Sequence, residues 1–194
     1  GARNGADNGN GGGMDRARVG VLISGRGSNL QALIAACEAP DYPAEIALVI
    51  ANVADAKGLE HAKPAGISFC VISHKDFPDR ASFDAALDSA LRQANIEIIC
   101  LAGFMRLLGE KFTTAWRDRV LNIHPSLLPA FPGLNTHRKV IEAGVKISGC
   151  TVHLVRPELD AGPILIQAAV PVAQDDTPET LAARVLAIEH RCYP

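Results

Sequence analysis

Short, continuously apolar runs alternate along the chain with stretches whose apolar residues recur at helical spacing. Val19 to Ile23 reads as a first buried strand, followed by a glycine turn and a helix running to about Cys37. Ile46 to Ile50 gives a second strand, Ala56 to Lys63 a short helix, and Ser68 to Ile72 a third strand. A helix from Ser82 to Gln93 places Phe83, Ala86, Leu87, Ala90 and Leu91 on one face and leads into a fourth strand, Ile96 to Ala102. Val120 to His124 is a fifth. Strands that are apolar throughout and separated by helices predict parallel pairing with both sheet faces covered.

After His124 the pattern changes. A proline-rich loop and a helix near Lys139 precede two strands, Thr151 to Val155 and Pro163 to Val172, joined by a short turn through Glu158, Leu159, Asp160, Ala161 and Gly162. That spacing predicts an antiparallel hairpin. Thr177 and Pro178 then suit the cap and first turn of a last helix, whose apolar face is Leu181, Val185 and Ile188. The fold class that follows is α/β, a single-domain, doubly wound, mostly parallel sheet of Rossmann-like type with an antiparallel hairpin toward the C-terminal part.

Composition narrows the setting. With 194 residues, 48% of them hydrophobic, the chain can bury one substantial core. A formal net charge of -2 and the lack of a basic run argue against nucleic acid or a membrane surface as partner. The five cysteines are scattered, with no Cys-x-x-Cys pair, which fits a reducing cytoplasm rather than a disulfide frame or a zinc site. No apolar run is long enough to span a bilayer, so a soluble protein is expected. Residues 1–17, rich in glycine and asparagine at their start, are expected to be a disordered extension, leaving 18–194 as the folded domain.

Two segments carry candidate chemistry. Asn122 and His124 lie two apart at the end of the fifth strand, so both point to the same face before Pro125 breaks the strand. An amide beside an imidazole can polarise a carbonyl and move a proton. From these two residues alone, the plainer reading as loop anchors bonded to nearby backbone is favoured.

The second segment, Ser24 to Asn29, joins the first strand to its helix, where free backbone N–H groups and the helix dipole favour an anion. Its two glycines permit close backbone approach. A glycine turn whose Ser28 or Asn29 merely caps the helix is the competing reading. The third glycine of a dinucleotide fingerprint is absent, as is any Gly-Lys-Ser/Thr, so a single phosphate monoester fits better than NAD or ATP. Arg26, between the loop glycines, either adds a charge contact or faces water.

Taken in order, Ser24 to Asn29, Leu101 to Leu108, Asn122 to Pro129, Pro132 to His137 and Glu158 to Pro163 closely resemble the phosphoribosylglycinamide formyltransferases, folate-dependent enzymes of purine synthesis. The resemblance runs from about Arg18 to Pro194. It implies transfer of a formyl group from the co-substrate 10-formyltetrahydrofolate to the amine of glycinamide ribonucleotide. It implies Asn122, His124 and Asp160 as the catalytic set, with a protonated His124 and Asn122 stabilising an oxyanion and Asp160 favouring the charged ring. It places the substrate phosphate on Gly27, Ser28 and Asn29, with Glu189 near the same substrate. Folate is implied along Met105, Arg106, Leu107 and Leu108 and at Asn122, with Arg80 near its glutamate tail and the loop from Arg156 to Asp160 over its pterin.

Without the resemblance, Asp160 reads as a turn residue, Arg80 as an exposed helix-start arginine and Glu189 as a solvated helix carboxylate. His124, His137, His153 and Asp160 match no metal-ligand spacing, and no metal is predicted. Methionyl-tRNA formyltransferases and formyltetrahydrofolate hydrolases, which share the folate chemistry, carry additional domains, and the chain is expected to be neither. The family domain continues beyond the equivalent of Pro194, so its C-terminal end is expected to be missing. A monomer or homodimer acting on small molecules is the resulting expectation.

Overall fold

The computed structural model describes residues 15–194. The expected N-terminal extension therefore falls largely outside the described residues, except at its end. There Arg16 donates to Cys37 O at 2.8 Å and Ala39 O at 2.9 Å, and Ala17 already opens the first strand, so the fold begins before residue 18.

The described residues form one seven-stranded sheet in the order β3-β2-β1-β4-β5-β6-β7. Its strands are β1 (Ala17–Ile23), β2 (Ala44–Ala51), β3 (Phe69–Val71), β4 (Ile98–Ala102), β5 (Val120–His124), β6 (Ile147–Leu154) and β7 (Ile164–Pro171). Pairing is parallel from β3 through β5, whereas β6 runs antiparallel to both β5 and β7. The mostly parallel α/β sheet and the late hairpin are as the sequence predicts.

The helices are α1 (Ser28–Cys37), α2 (Leu59–Ala62), α3 (Arg80–Gln93), α4 (Glu110–Ala115), α5 (Thr136–Ala143) and α6 (Pro178–Cys192). Strand alternation divides the core in two. Val19, Val21 and Ile23 of β1 pack with Leu30 and Leu33 of α1 and Leu181 and Val185 of α6. Leu22 turns to the other face, among Phe83, Leu87 and Leu91 of α3 and Phe112 and Trp116 near α4. Gly20 shares that second face because a Cβ there would stand 2.8 Å from Leu91 Cδ2.

Several boundaries differ from the periodicity reading. The predicted helix from Ala56 to Lys63 contracts to four residues, the fourth strand starts at Ile98 rather than Ile96, and α3 starts at Arg80 because Asp79 accepts from Ser82 N at 2.8 Å. Strand β6 begins four residues before Thr151, through Ile147, Ser148, Gly149 and Cys150, which lack a strand-like alternation. Helix α4 is too short to leave a periodic signature. Helix α6 has the expected cap: Thr177 and Thr180 exchange bonds in a capping box, with Pro178 following.

Candidate active site

Between β1 and β4 the chain's winding reverses, because β1 leads outward to β2 while β4 leads the other way to β5. Loops leaving the C-terminal ends of those strands part there, opening the crevice in which doubly wound sheets bind ligands. A cleft of about 730 Å³ occupies this position, a size suited to a small-molecule site. Ser28 and Asn29 line one part of it, Met105 to Leu108 another, and Asn122, His124, Asp160 and Glu189 the remainder. Residues far apart in sequence thus converge because their strands are neighbours.

The loop after β1 reaches the cleft through Gly27, whose φ of 67° suits glycine and whose Cβ, if present, would lie 2.8 Å from Gly58 Cα. No side chain caps α1, so the N–H groups of its first turn remain available to an anion. The capping alternative for Ser28 and Asn29 therefore does not hold. Asn29 is buried and donates from Nδ2 to Glu189 Oε1 at 3.3 Å, leaving its buried Oδ1 without a protein partner. Arg26 is exposed.

Glu189 is 7% exposed and continues the buried stripe of Leu181 and Val185 at four-residue steps, so it is not a solvated helix carboxylate. That spacing was the available sequence signal. Burial pushes its carboxyl up to about 7, against the lowering effect of the Asn29 hydrogen bond. An unfolded carboxyl ionises near 4.5, so the folded state holds an extra proton between these values. The stability present below pH 4.5 is consequently expected to be lost as pH rises through about 7, by up to roughly 3 kcal/mol. Urea unfolding at pH 5 and pH 8 checks this: Glu189→Gln should flatten the difference, and an unchanged pH dependence in that variant contradicts the assignment.

His124 and Asp160 form the other end of the site. The His124 side chain and that of Asp160 are each 7% exposed, with Nδ1 and Oδ2 3.6 Å apart, an ion-pair rather than a hydrogen-bond separation. His124 Nε2 lies 2.9 Å from Phe131 O, a carbonyl aimed inward by a left-handed residue with φ of 53°. Nε2–H therefore donates to the Phe131 carbonyl, while Nδ1 stands beside Asp160 without a hydrogen bond to it. Asp160 itself has φ of 51°, and its Oδ2 accepts from Gly133 N at 2.9 Å. Two loops are thus clasped across the imidazole by one carboxylate. A non-glycine residue in this conformation carries strain that surrounding contacts must offset.

Asn122 faces His153 across the β5–β6 pair, with Nδ2 and Nε2 3.5 Å apart. His153 is 2% exposed and its Nδ1 lies 3.0 Å from Leu154 O, so Nδ1–H donates there and Nε2 is left to accept from Asn122. The alignment of His153 with Asn122 is set by cross-strand register, which a single strand does not reveal. His137 also lines the cleft, held below its ordinary pKa by burial and by His124 nearby. Among the described residues no group of three or more His, Cys, Asp or Glu is placed to hold a metal ion.

The remaining predicted contacts are distributed unevenly. Met105 is 67% exposed and Leu107 is also open, forming apolar cleft wall, while Leu108 is buried. Arg106 stacks its guanidinium over Phe83 at 5.9 Å. Arg156 lines the cleft but directs its guanidinium to Asp118 Oδ1 at 2.6 Å. Arg80 is exposed at the start of α3, and neither it nor the buried Gly27 is among the residues that line the cleft.

Residues 17–194 match the formyl transferase family. The trifunctional purine biosynthetic protein adenosine-3 of Gallus gallus is 52% identical over 180 residues, covering 93% of this chain and 18% of its own length. The phosphoribosylglycinamide formyltransferase of Haemophilus influenzae is 46% identical, over 91% of this chain and 84% of the relative. The crystal structure of phosphoribosylglycinamide formyltransferase from Brucella melitensis shares 55% identity and a TM-score of 0.89, covering 92% of each chain. The chain thus spans under a fifth of the trifunctional relatives but most of the length of the single-function ones.

Proposed function

The chain belongs to the formyl transferase family, among the phosphoribosylglycinamide formyltransferases, and we propose that its cleft transfers the formyl group of 10-formyltetrahydrofolate to the amine of glycinamide ribonucleotide in de novo purine biosynthesis. The observation that carries the reading is the convergence of Asn122, His124 and Asp160 in one cleft with the uncapped N-terminus of α1. An anion-binding helix end and a proton-handling cluster in the same crevice suit a phosphate ester whose reacting amine lies away from its phosphate.

The substrate phosphate is assigned to Gly27, Ser28 and Asn29. Glu189, bonded to Asn29, then contacts the same substrate farther in. The folate lies along Met105 to Leu108, where the exposed apolar side chains of Met105 and Leu107 suit a flat heteroaromatic ring. Arg156 supports the loop that covers the ring through its bond to Asp118. Arg80, which lies near Asp84, is assigned to the glutamate tail.

In the reaction the substrate amine attacks the formyl carbon, the carbonyl oxygen becomes an oxyanion, and the bond to the folate nitrogen breaks. Asn122 and protonated His124 donate to the oxyanion as it forms, which accelerates the step because the charge is greatest in the transition state. Asp160 holds the charged ring and organises a water that carries the amine's proton to the leaving nitrogen. The free thiols at all five cysteines support a cytoplasmic setting. Among the described residues no helix is long and apolar enough to cross a membrane.

A spectrophotometric assay of tetrahydrofolate release tests the function. Release is expected only when glycinamide ribonucleotide is present. Equal release without the acceptor identifies hydrolysis and overturns the reading.

A further inference from the structure

The cleft is bordered by two loops that leave neighbouring strands and turn in different directions, yet a single hydroxyl joins them. Ser24 directly follows β1 and opens the loop to α1; Met105 lies three residues beyond β4. Because Ile23 and Ala102 are paired in register, Ser24 faces the start of the β4 loop. Its Oγ accepts from Met105 N at 2.8 Å. The amide N–H is an unambiguous donor, so the hydroxyl proton is directed elsewhere, to Asn52 Oδ1 at 2.6 Å. Asn52 follows β2, is 2% exposed, and donates its backbone N–H to Ile23 O at 3.2 Å. One hydroxyl therefore links the C-terminal ends of β2, β1 and β4, across the point where the sheet order reverses.

The Met105–Leu108 segment has little else beneath its first residues. Gly103 takes φ of 69°, the Met105 and Leu107 side chains are exposed, and after Met105 the segment is held at its far end by the buried Leu108 and by Gly109 N, which donates to Asp84 Oδ2 at 2.8 Å. A segment anchored at its two ends keeps the shape its ends impose. The opposite loop is tied on its far side to Gly58, whose N–H donates to Gly25 O at 2.8 Å and which packs against Gly27.

We propose that Ser24 is a positioning residue that ties the folate segment to the phosphate loop, so that filling either ligand site tightens the other. The proposal rests on the assignment of phosphate to Gly27–Asn29 and folate to Met105–Leu108. An anion on the first turn of α1 orders the loop that begins at Ser24; a fixed Ser24 holds Met105 N–H, and folate then binds a segment with less conformational freedom to lose. Linkage makes the effect reciprocal.

The test is the dissociation constant of tetrahydrofolate, which carries no formyl group to transfer, with and without saturating glycinamide ribonucleotide, on the whole chain. For the wild-type chain the nucleotide is expected to tighten tetrahydrofolate about fivefold or more, whereas in Ser24→Ala the two constants should agree within about twofold. Ser24→Thr, which keeps the hydroxyl, should restore the coupling. Undiminished coupling in a folded Ser24→Ala variant overturns the proposal, as does wild-type binding of both ligands without coupling. Failure of the wild-type chain to bind either ligand alone overturns the underlying site assignment instead, and the proposal with it.

Discussion

Replacing His124 by alanine is expected to lower kcat for formyl transfer about a thousandfold, since on the proposed mechanism the variant loses both a donor to the oxyanion and a proton-handling group. The KM for glycinamide ribonucleotide should move by less than about threefold, because the phosphate contacts proposed at Gly27–Asn29 are on another loop. Little of the loss should come from unfolding. Phe131 O, which faces the ring, also accepts from Ser126 Oγ at 3.1 Å and is not left bare. Steady-state kinetics with both substrates varied, alongside thermal unfolding, separate these effects. Full activity in a folded His124→Ala variant would sink the mechanism.

Asp160→Asn asks a narrower question. An asparagine tolerates the positive φ of this position and can still accept from Gly133 N, so the clasp between the loops survives while its charge is removed. The expected result is a fall in kcat of about a hundredfold with near wild-type unfolding behaviour. Asp160→Ala removes the acceptor as well and should additionally weaken folate binding, because the loop from Arg156 to Asp160 loses its bond to Gly133. If Asp160→Asn retains wild-type kcat, the carboxylate serves only to shape the loop, and the charge partner assigned to His124 must be abandoned. The distinction matters because Asp160 and His124 are separated by 3.6 Å, close enough for charge and too far for a direct hydrogen bond.

Much of the frame was legible in the chain. The runs Val19 to Ile23 in β1, Ile46 to Ile50 in β2 and Ile98 to Ala102 in β4 are free of charged and amide side chains because helices cover both faces of the sheet, and that burial leaves a signature no surface strand shares. The spacing of Asn122 and His124 fixed their common face. Thr177 and Pro178 announced α6. Where the reading slipped, at α4, at the four-residue α2 and at the start of β6, the segments were too short or too poor in alternation for periodicity to register. Arg80, which the resemblance implies near the glutamate tail, lies outside the cleft lining.

The formyl transfer was implied by resemblance to a family; by itself, the residue pattern determined that the early apolar segments are parallel strands and where the chain reverses into a hairpin. Those properties depend on local dihedral preference and on the burial pattern of single elements, both written in neighbouring residues. Only the tertiary structure decided that Asp160 reaches His124, that His153 supports Asn122, that Glu189 is buried against Asn29, and that Ser24 joins two loops. Each of these contacts joins residues that are distant in sequence, set by strand order, by register across β5 and β6, or by the packing of α6 against α1. Local preference has no means of specifying such contacts, because they arise only when separate elements share one core.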